Sequence, residues 1–189
     1  ETLARLEIKR HGKIPPLEFI PIAEKTKLIV PLGKIIFRHA LRFIRRLEDM
    51  GFDDINVSVN ISVMQLLYEG FAKDVSAMIK DARVNARSVA LEITESVFSE
   101  NTKDINLILQ ALKKEGVTLA IDDFGTGYSS LSREWELHVD CLKIDKFFVD
   151  KLMELPHEKV ITGDIISLAQ KLGHCVVAEG VEYEEQKAY

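Results

Sequence analysis

Cysteine, tryptophan and long apolar runs are scarce in this sequence of 189 residues, which contains two cysteines and one tryptophan. Cys141 and Cys175 lack the spacing of a metal motif or a disulfide framework, and both lie in apolar segments. We therefore expect buried free thiols in a reducing compartment. No segment approaches the roughly 18 apolar residues of a membrane span. We expect a cytoplasmic protein, and any tether to the inner membrane would come from segments outside this chain.

The sequence also lacks a large excess of charge. Its formal net charge is −5, and its apolar and charged fractions of 47% and 29% are typical of globular proteins. A negative balance argues against a nucleic-acid polymer as partner. One predicted helix carries a basic stripe, which we interpret as a solvated face, with contact to an acidic partner as the alternative. The stripe consists of Lys34, Arg38, Arg42, Arg45 and Arg46.

Apolar segments of strand length alternate with segments of helical periodicity along most of the chain. Strands are predicted over residues 1–8, 55–61, 89–93, 117–122, 141–144 and 175–179. Helices are predicted over residues 17–25, 31–49, 71–82, 102–114, 129–137 and 157–172, with further helices beginning at residue 64 and near residue 184. This alternation predicts an α/β fold with a parallel sheet and helices outside it.

The polar residues of the predicted strands follow a common phase. One parity of each strand is apolar, whereas the other ends in a chemically functional side chain: Asn60, Glu92, Asp122, Lys143 and Glu179. Parallel strand ends converge on one mouth in a (β/α) barrel, which is where such folds place their sites. A doubly wound sheet also gathers strand ends along one edge, but it brings fewer of them around one point. The pattern therefore favours a barrel.

Carboxylates dominate these strand ends. Asp122 and Asp123 precede Gly125 and Gly127, so this stretch reads either as a simple turn or as a site where a cation offsets the repulsion between neighbouring carboxylates. The full acidic set is Glu1, Glu92, Glu95, Asp122, Asp123, Glu179 and Glu182. Oxygen ligands without histidine or cysteine select Mg²⁺ or Mn²⁺, and two such ions about 3.5–4 Å apart suit in-line attack on a phosphodiester.

Seven stretches carry a resemblance to a known family. They are Glu1–Arg5, Glu18–Glu24, Asn60–Ser62, Leu91–Glu95, Asp122–Ser130, Leu142–Asp145 and Ala178–Glu182. In this order they resemble the EAL-domain family of cyclic di-GMP phosphodiesterases. The resemblance implies a modified TIM (β/α)8-type barrel with one antiparallel strand. It also implies that residues 1–189 are the core of such a domain, which would continue with a strand before Glu1 and with a strand and helix after Tyr189.

The resemblance assigns most of the strand-end residues to a two-metal centre. One ion would be held by Glu1, Asn60, Glu92 and Asp122. Asp122 would bridge to a second ion, which Asp123 helps to bind. Lys143 would position the attacking water and hold negative charge, Glu179 would act as general base, and Glu95 would anchor the loop after Asp123. Contacts to the dinucleotide are implied for Arg5, Gln65, Asp145 and Glu182.

The implied reaction is metal-dependent hydrolysis of cyclic di-GMP to linear pGpG, with two Mg²⁺ or Mn²⁺ ions. Homodimerisation and a fused sensory or GGDEF domain outside this chain are further implications. Two departures from the family pattern, Thr2 and the segment 133–138, keep an inactive cyclic di-GMP receptor or scaffold as an alternative. A different metal-dependent phosphodiesterase on the same barrel is a third reading, because a fold does not fix a substrate.

Overall fold

A computed structural model of the chain describes residues 1–9, 11–125, 137–156 and 160–189. These residues form two compact units. One comprises Glu1–Glu92 with Leu107–Thr118, and the other comprises Ile93–Asn106 with Leu119–Tyr189. The helix predicted over residues 129–137 lies almost wholly outside the described residues, as does the start of the helix predicted over 157–172.

Strands and helices alternate through both units. The first part of the chain contains β1 (Leu6–Ile8), β2 (Gly12–Ile14), α1 (Pro16–Lys25), α2 (Ile29–Asp49), β3 (Val57–Ile61), α3 (Val63–Leu66) and α4 (Phe71–Ala82). It continues with β4 (Val89–Thr94), α5 (Thr102–Glu115) and β5 (Thr118–Phe124). The remainder contains β6 (Cys141–Ile144), α6 (Lys146–Glu154), α7 (Thr162–Lys171), β7 (Cys175–Ala178) and α8 (Glu184–Ala188).

The main sheet has five strands in the order β3-β4-β5-β6-β7. Strand β6 pairs in parallel with both β5 and β7, and Ile121 lies opposite Leu142 in the first of these ladders. Neighbours in this sheet follow one another in sequence, as expected where each strand is joined to the next by a crossover. The predicted α/β class with a parallel sheet is confirmed.

In the first unit, helix α2 packs on β3 and supplies much of the core. Its buried positions recur at helical spacing and include Phe37, Leu41 and Ile44, each no more than 3% exposed. Val59 on β3 is 1% exposed. Full burial of a side chain of this size stabilises the fold by about 1.5–3 kcal/mol, so this helix is held chiefly by its apolar face.

One expectation about secondary structure is wrong, and one helix was not predicted. Residues 1–8 do not form one strand: Thr2 makes an isolated parallel bridge to Val59, whereas β1 turns back into an antiparallel hairpin with β2. Gly12 adopts φ of +71° at the start of β2, a conformation that favours glycine and permits the tight reversal. Helix α6 was not predicted, although Asp145 caps it by accepting a hydrogen bond from the Phe147 amide over 2.8 Å.

The prediction of buried free thiols is also wrong. The parallel register of β6 and β7 places Cys141 opposite Cys175, and a disulfide joins them. Cys175 is exposed, whereas Cys141 is buried. Separation along the chain does not reveal such a pair, because the register between neighbouring strands brings the two Cβ atoms together.

Among the described residues, no helix combines the length and the apolar character needed to cross a membrane.

Candidate active site

The end of β5 presents two adjacent carboxylates in an irregular backbone. The pairing with β6 shifts between Ile121 and Phe124, so one extra residue is inserted in β5. Asp123 occupies this region with φ of +54°, and its amide donates to Asp122 Oδ1 over 3.1 Å. Successive side chains of a regular strand point to opposite faces. The bulge and the left-handed residue break that alternation and let both carboxylates approach one point.

Lys143 on β6 lies between carboxylates from the strands on either side. Its Nζ is 3.1 Å from Asp122 Oδ1 on β5 and 2.6 Å from Glu179 Oε1 after β7. The side chain is buried, as is that of Asp122. A buried ammonium is costly unless it is paired and hydrogen-bonded, and these two carboxylates supply the pairing.

Glu179 reaches this position because β7 remains in register with β6 to its last residue. Ala178 lies opposite Ile144, and the Glu179 amide donates to the Ile144 carbonyl over 3.0 Å. Glu179 is therefore the first residue after β7 and still belongs to the ladder. Its side chain faces the same way as those of Val177 and Cys175, which places it beside Lys143.

Asp122, Asp123 and Glu179 form an acidic cluster, in which ligand oxygens from all three side chains lie within 4.8 Å of one another. With Lys143 the group carries three carboxylates against one ammonium. Burial raises the pKa of the Asp123 carboxyl, and the negative charges of Asp122, Asp145 and Glu179 raise it further, against a lowering by Lys143. A divalent cation stabilises the ionised carboxylates and offsets this repulsion.

The donor set fits a hard divalent cation. Every member of the acidic cluster offers carboxylate oxygen, the ligand that Mg²⁺ and Mn²⁺ prefer. Histidine and cysteine are absent from the cluster, which argues against a zinc site.

Glu95 supports the turn that follows the two aspartates. It begins a short 3-10 helix after β4, and its side chain is 5% exposed. Its Oε2 accepts a hydrogen bond from the Gly125 amide over 2.8 Å. Gly125 has φ of +95°, and a Cβ there would lie 2.5 Å from the Phe148 ring. A buried carboxylate on one side and an aromatic ring on the other therefore fix this turn.

The remaining predicted metal ligands lie in the first unit. Asn60 Nδ2 donates to Glu1 Oε1 over 2.9 Å, so these two predicted ligands are neighbours. The Thr2 amide donates to the Ser58 carbonyl over 2.8 Å, which holds the chain beside β3. Glu92 is 4% exposed near the end of β4.

The predicted dinucleotide contacts are in varied surroundings. Arg5 is exposed and donates to the neighbouring Ala4 carbonyl. Gln65 is buried, and its Oε1 accepts from the Ser62 amide in a capping box at the start of α3. Asp145 caps α6, and Glu182 is exposed at 3.2 Å from Lys146 Nζ.

No role was predicted for Lys146 or Phe148, both on α6. Lys146 contacts the segment after Glu179, and Phe148 contacts Gly125. A signal for the helix was present in Asp145, a capping residue, followed by apolar positions at Phe148, Val149 and Leu152.

Residues 1–189 match the family described as the EAL domain. The chain is 38% identical over 189 residues to the bifunctional diguanylate cyclase/cyclic di-GMP phosphodiesterase MucR of Pseudomonas aeruginosa. It is 34% identical over 189 residues to the cyclic di-GMP phosphodiesterase PdeR of Escherichia coli. All of the chain is covered in both alignments, but it spans only 28% of the length of each relative.

The fold has a solved counterpart. The structure of the PaMucR phosphodiesterase in complex with c-di-GMP superposes with a TM-score of 0.89 at 38% identity. The match covers 97% of this chain and 74% of that one. The parallel sheet described above is thus part of a TIM-like barrel of the EAL type, as the resemblance implied.

Proposed function

Because the chain belongs to the EAL domain family, we propose that it hydrolyses cyclic di-GMP to linear pGpG with the help of two Mg²⁺ or Mn²⁺ ions. One observation carries the proposal: Asp122, Asp123, Lys143 and Glu179 meet where β5, β6 and β7 end. MucR and PdeR, which are named as cyclic di-GMP phosphodiesterases, support the choice of substrate.

The carboxylates of Asp122 and Asp123 would hold the ions, with Glu179 within reach of the same point. Glu1, Asn60 and Glu92 are proposed as further ligands, and the hydrogen bond between Glu1 and Asn60 is consistent with a shared role. When bound, the ions neutralise phosphate charge and acidify a water molecule. Arg5, Gln65, Asp145 and Glu182 remain proposed contacts to the dinucleotide.

Hydrolysis requires a base for the attacking water and a cation for the charge that develops on the phosphoryl oxygens. Glu179 accepts the proton of water, whose oxygen forms a bond to phosphorus. The bond from phosphorus to the 3′ oxygen breaks, and that oxygen takes up a proton, which leaves a 5′ phosphate. Lys143, 2.6 Å from Glu179 and 3.1 Å from Asp122, orients the base and places positive charge beside the reacting phosphate.

The experiment is incubation of the purified protein with cyclic di-GMP and Mg²⁺ or Mn²⁺, followed by chromatographic separation of products. We expect pGpG, and we expect a chelator to abolish it. Binding of cyclic di-GMP without product would contradict the proposal and favour the receptor alternative. Cleavage of cyclic mononucleotides in preference to cyclic di-GMP would show a different phosphodiesterase.

Homodimerisation and a fused sensory or GGDEF domain stay predictions, and they concern the whole protein. Sedimentation of the purified protein across a range of concentrations would test the first of them.

A further inference from the structure

Two glycines beside the acidic cluster are packed against side chains from the first turn of α6. Gly125 lies two residues after Asp123, and Gly180 directly follows Glu179. Both have positive φ, +95° and +67°. A Cβ on Gly180 would lie 2.5 Å from Lys146 Cγ, as close as a Cβ on Gly125 would lie to the Phe148 ring. The absence of a side chain at each glycine therefore permits this contact.

Lys146 makes three polar contacts, two of which reach the segment after β7. Its Nζ donates to the Gly180 carbonyl over 3.4 Å and lies 3.2 Å from Glu182 Oε1. The third contact, 2.9 Å to Asp150 Oδ1, lies within α6. Hydrogen bonds to Asp150 and Glu182 raise the pKa of Lys146, so the side chain remains a cation under ordinary conditions.

Glu179 lies where the regular hydrogen bonding between β6 and β7 ends. Its amide makes the last ladder bond, to the Ile144 carbonyl, and the paired residues of β7 end at Ala178. The next residues are held by Lys146 and by Gln186, whose Oε1 accepts from the amides of Glu182 and Tyr183. Movement of Gly180 would therefore turn the Glu179 side chain relative to Lys143.

We propose that Lys146 is a positioning residue: by holding Gly180 and Glu182 against α6, it fixes the orientation of Glu179 toward Lys143. The inference rests on the proposed function, in which Glu179 is the base. A displacement of about 1 Å at such a group can lower turnover by as much as about 10²-fold. Lys146 acts through its neighbours and is not assigned a contact with the substrate.

The exposure of the Lys146 ion pair distinguishes the proposed positioning role from a contribution to folding stability. The Lys146 and Glu182 side chains are 44% and 57% exposed. Exposed ion pairs contribute little to folding stability because solvent screens them and two long side chains must be ordered. Loss of Lys146 is therefore expected to change turnover more than stability.

The chain offers a matched control on the same helix. Lys151 pairs with Glu154 and lies over the Phe147 ring, so it is a partly exposed lysine of α6 with an acidic partner within one turn. Neither partner of Lys151 belongs to the acidic cluster or to the segment after β7. Lys151→Met thus removes a comparable surface ion pair without touching Gly180.

The test compares Lys146→Met, Lys146→Arg and Lys151→Met with the parent protein. For Lys146→Met we expect kcat to fall by about 10-fold or more, with the melting temperature nearly unchanged. Lys146→Arg should restore most of kcat, because it keeps the charge and a donor near Gly180. Lys151→Met should retain parental kcat. Equal losses in Lys146→Met and Lys151→Met, or parental kcat in Lys146→Met, would overturn the proposal.

A second readout separates this inference from the proposed function. Amide hydrogen exchange of a peptide covering residues 176–183 should be faster in Lys146→Met and unchanged in Lys151→Met. If exchange is faster in Lys146→Met but the parent protein does not hydrolyse cyclic di-GMP, the positioning contact is supported and the proposed reaction is overturned. Unchanged exchange in Lys146→Met would overturn the positioning role, whatever the activity of the parent.

Discussion

The turn after β5 and the segment after β7 both follow residues of the acidic cluster, but different kinds of contact hold them in place. Gly125 is held by the buried carboxylate of Glu95 and by the ring of Phe148, which is 7% exposed. Gly180 is held by Lys146, whose side chain is 44% exposed. Both supports come close enough to exclude a Cβ at the glycine.

Because of this difference, the two supports should contribute unequally to the folding stability of the protein, although both hold a side chain of the site in position. A buried anchor contributes to folding and to geometry together, because its removal leaves a cavity or an unsatisfied polar group. An exposed ion pair contributes little to folding but can still restrict a short segment. The turn that presents Asp123 is thus built into the core, whereas the segment that presents Glu179 is adjustable at small cost in stability.

The largest effect is expected from the residue that joins the two regions. Lys143→Met removes the cation between Asp122 and Glu179 and should lower kcat by about 10³-fold or more, since it deletes charge stabilisation at the reacting phosphate. Steady-state kinetics would measure this. Lys80→Met, which breaks a surface pair with Glu115, is the control and should keep parental kcat. Similar kinetics for both variants would contradict the role given to Lys143.

The disulfide should stabilise the β7 side of the site. Cys141 and Cys175 are 34 residues apart, and closing a loop of this size typically contributes about 4 kcal/mol. Urea unfolding of protein purified without reductant should therefore shift to lower concentration when a dithiol is added. Cys175→Ser should unfold like the reduced protein, with or without dithiol. Labelling of both thiols by iodoacetamide in the unreduced native protein would contradict the assignment.

Alanine substitutions at two glycines would test whether the contact with Phe148 constrains the turn after β5. Gly125→Ala combines an unfavourable positive φ with an overlap at the Phe148 ring, and it should lower the free energy of unfolding by about 2–4 kcal/mol. Gly173→Ala shares the positive φ but meets open space, so its cost should be about 1–2 kcal/mol. Chemical denaturation would compare them. Equal costs would show that the ring contact does not constrain the turn.

The smallest effect on stability is expected from the exposed lysine that holds the segment after β7. Lys146→Met should leave the denaturation midpoint close to the parental value, because its ion pairs are exposed to solvent. Parallel denaturation with Gly125→Ala would show the contrast. A loss from Lys146→Met as large as that from Gly125→Ala would remove the distinction between a buried and an exposed support.

Much of the fold follows from the sequence because the strand pattern is strong. Apolar segments bounded by helical periodicity locate β3 to β7 within one or two residues at each end. Pairing and register are less accessible. Nothing in the spacing of Cys141 and Cys175 shows that they face each other, and the hairpin of β1 and β2 depends on a reversal that the pattern of residues 1–8 does not contain.

The site, like the fold, can be predicted from the sequence only in part. The phase of Asp122 and Lys143 within their strands correctly predicts that both side chains lie on one face. The same rule would send Asp123 to the opposite face, and only the bulge with its left-handed residue returns it to the cluster. The sequence did not indicate a role for Lys146, because the role proposed for it depends on a contact with Gly180, 34 residues away in sequence.

In the proposed reaction, the carboxylates at the end of β5 hold the ions that drive hydrolysis of cyclic di-GMP. Its most direct test is the rate of pGpG formation as a function of Mn²⁺ concentration in the parent protein and in Asp122→Asn. We expect saturable, metal-dependent turnover in the parent and a loss of about 10²-fold or more in the variant. Turnover that is independent of Mn²⁺, or a variant with the parental rate and metal dependence, would contradict it.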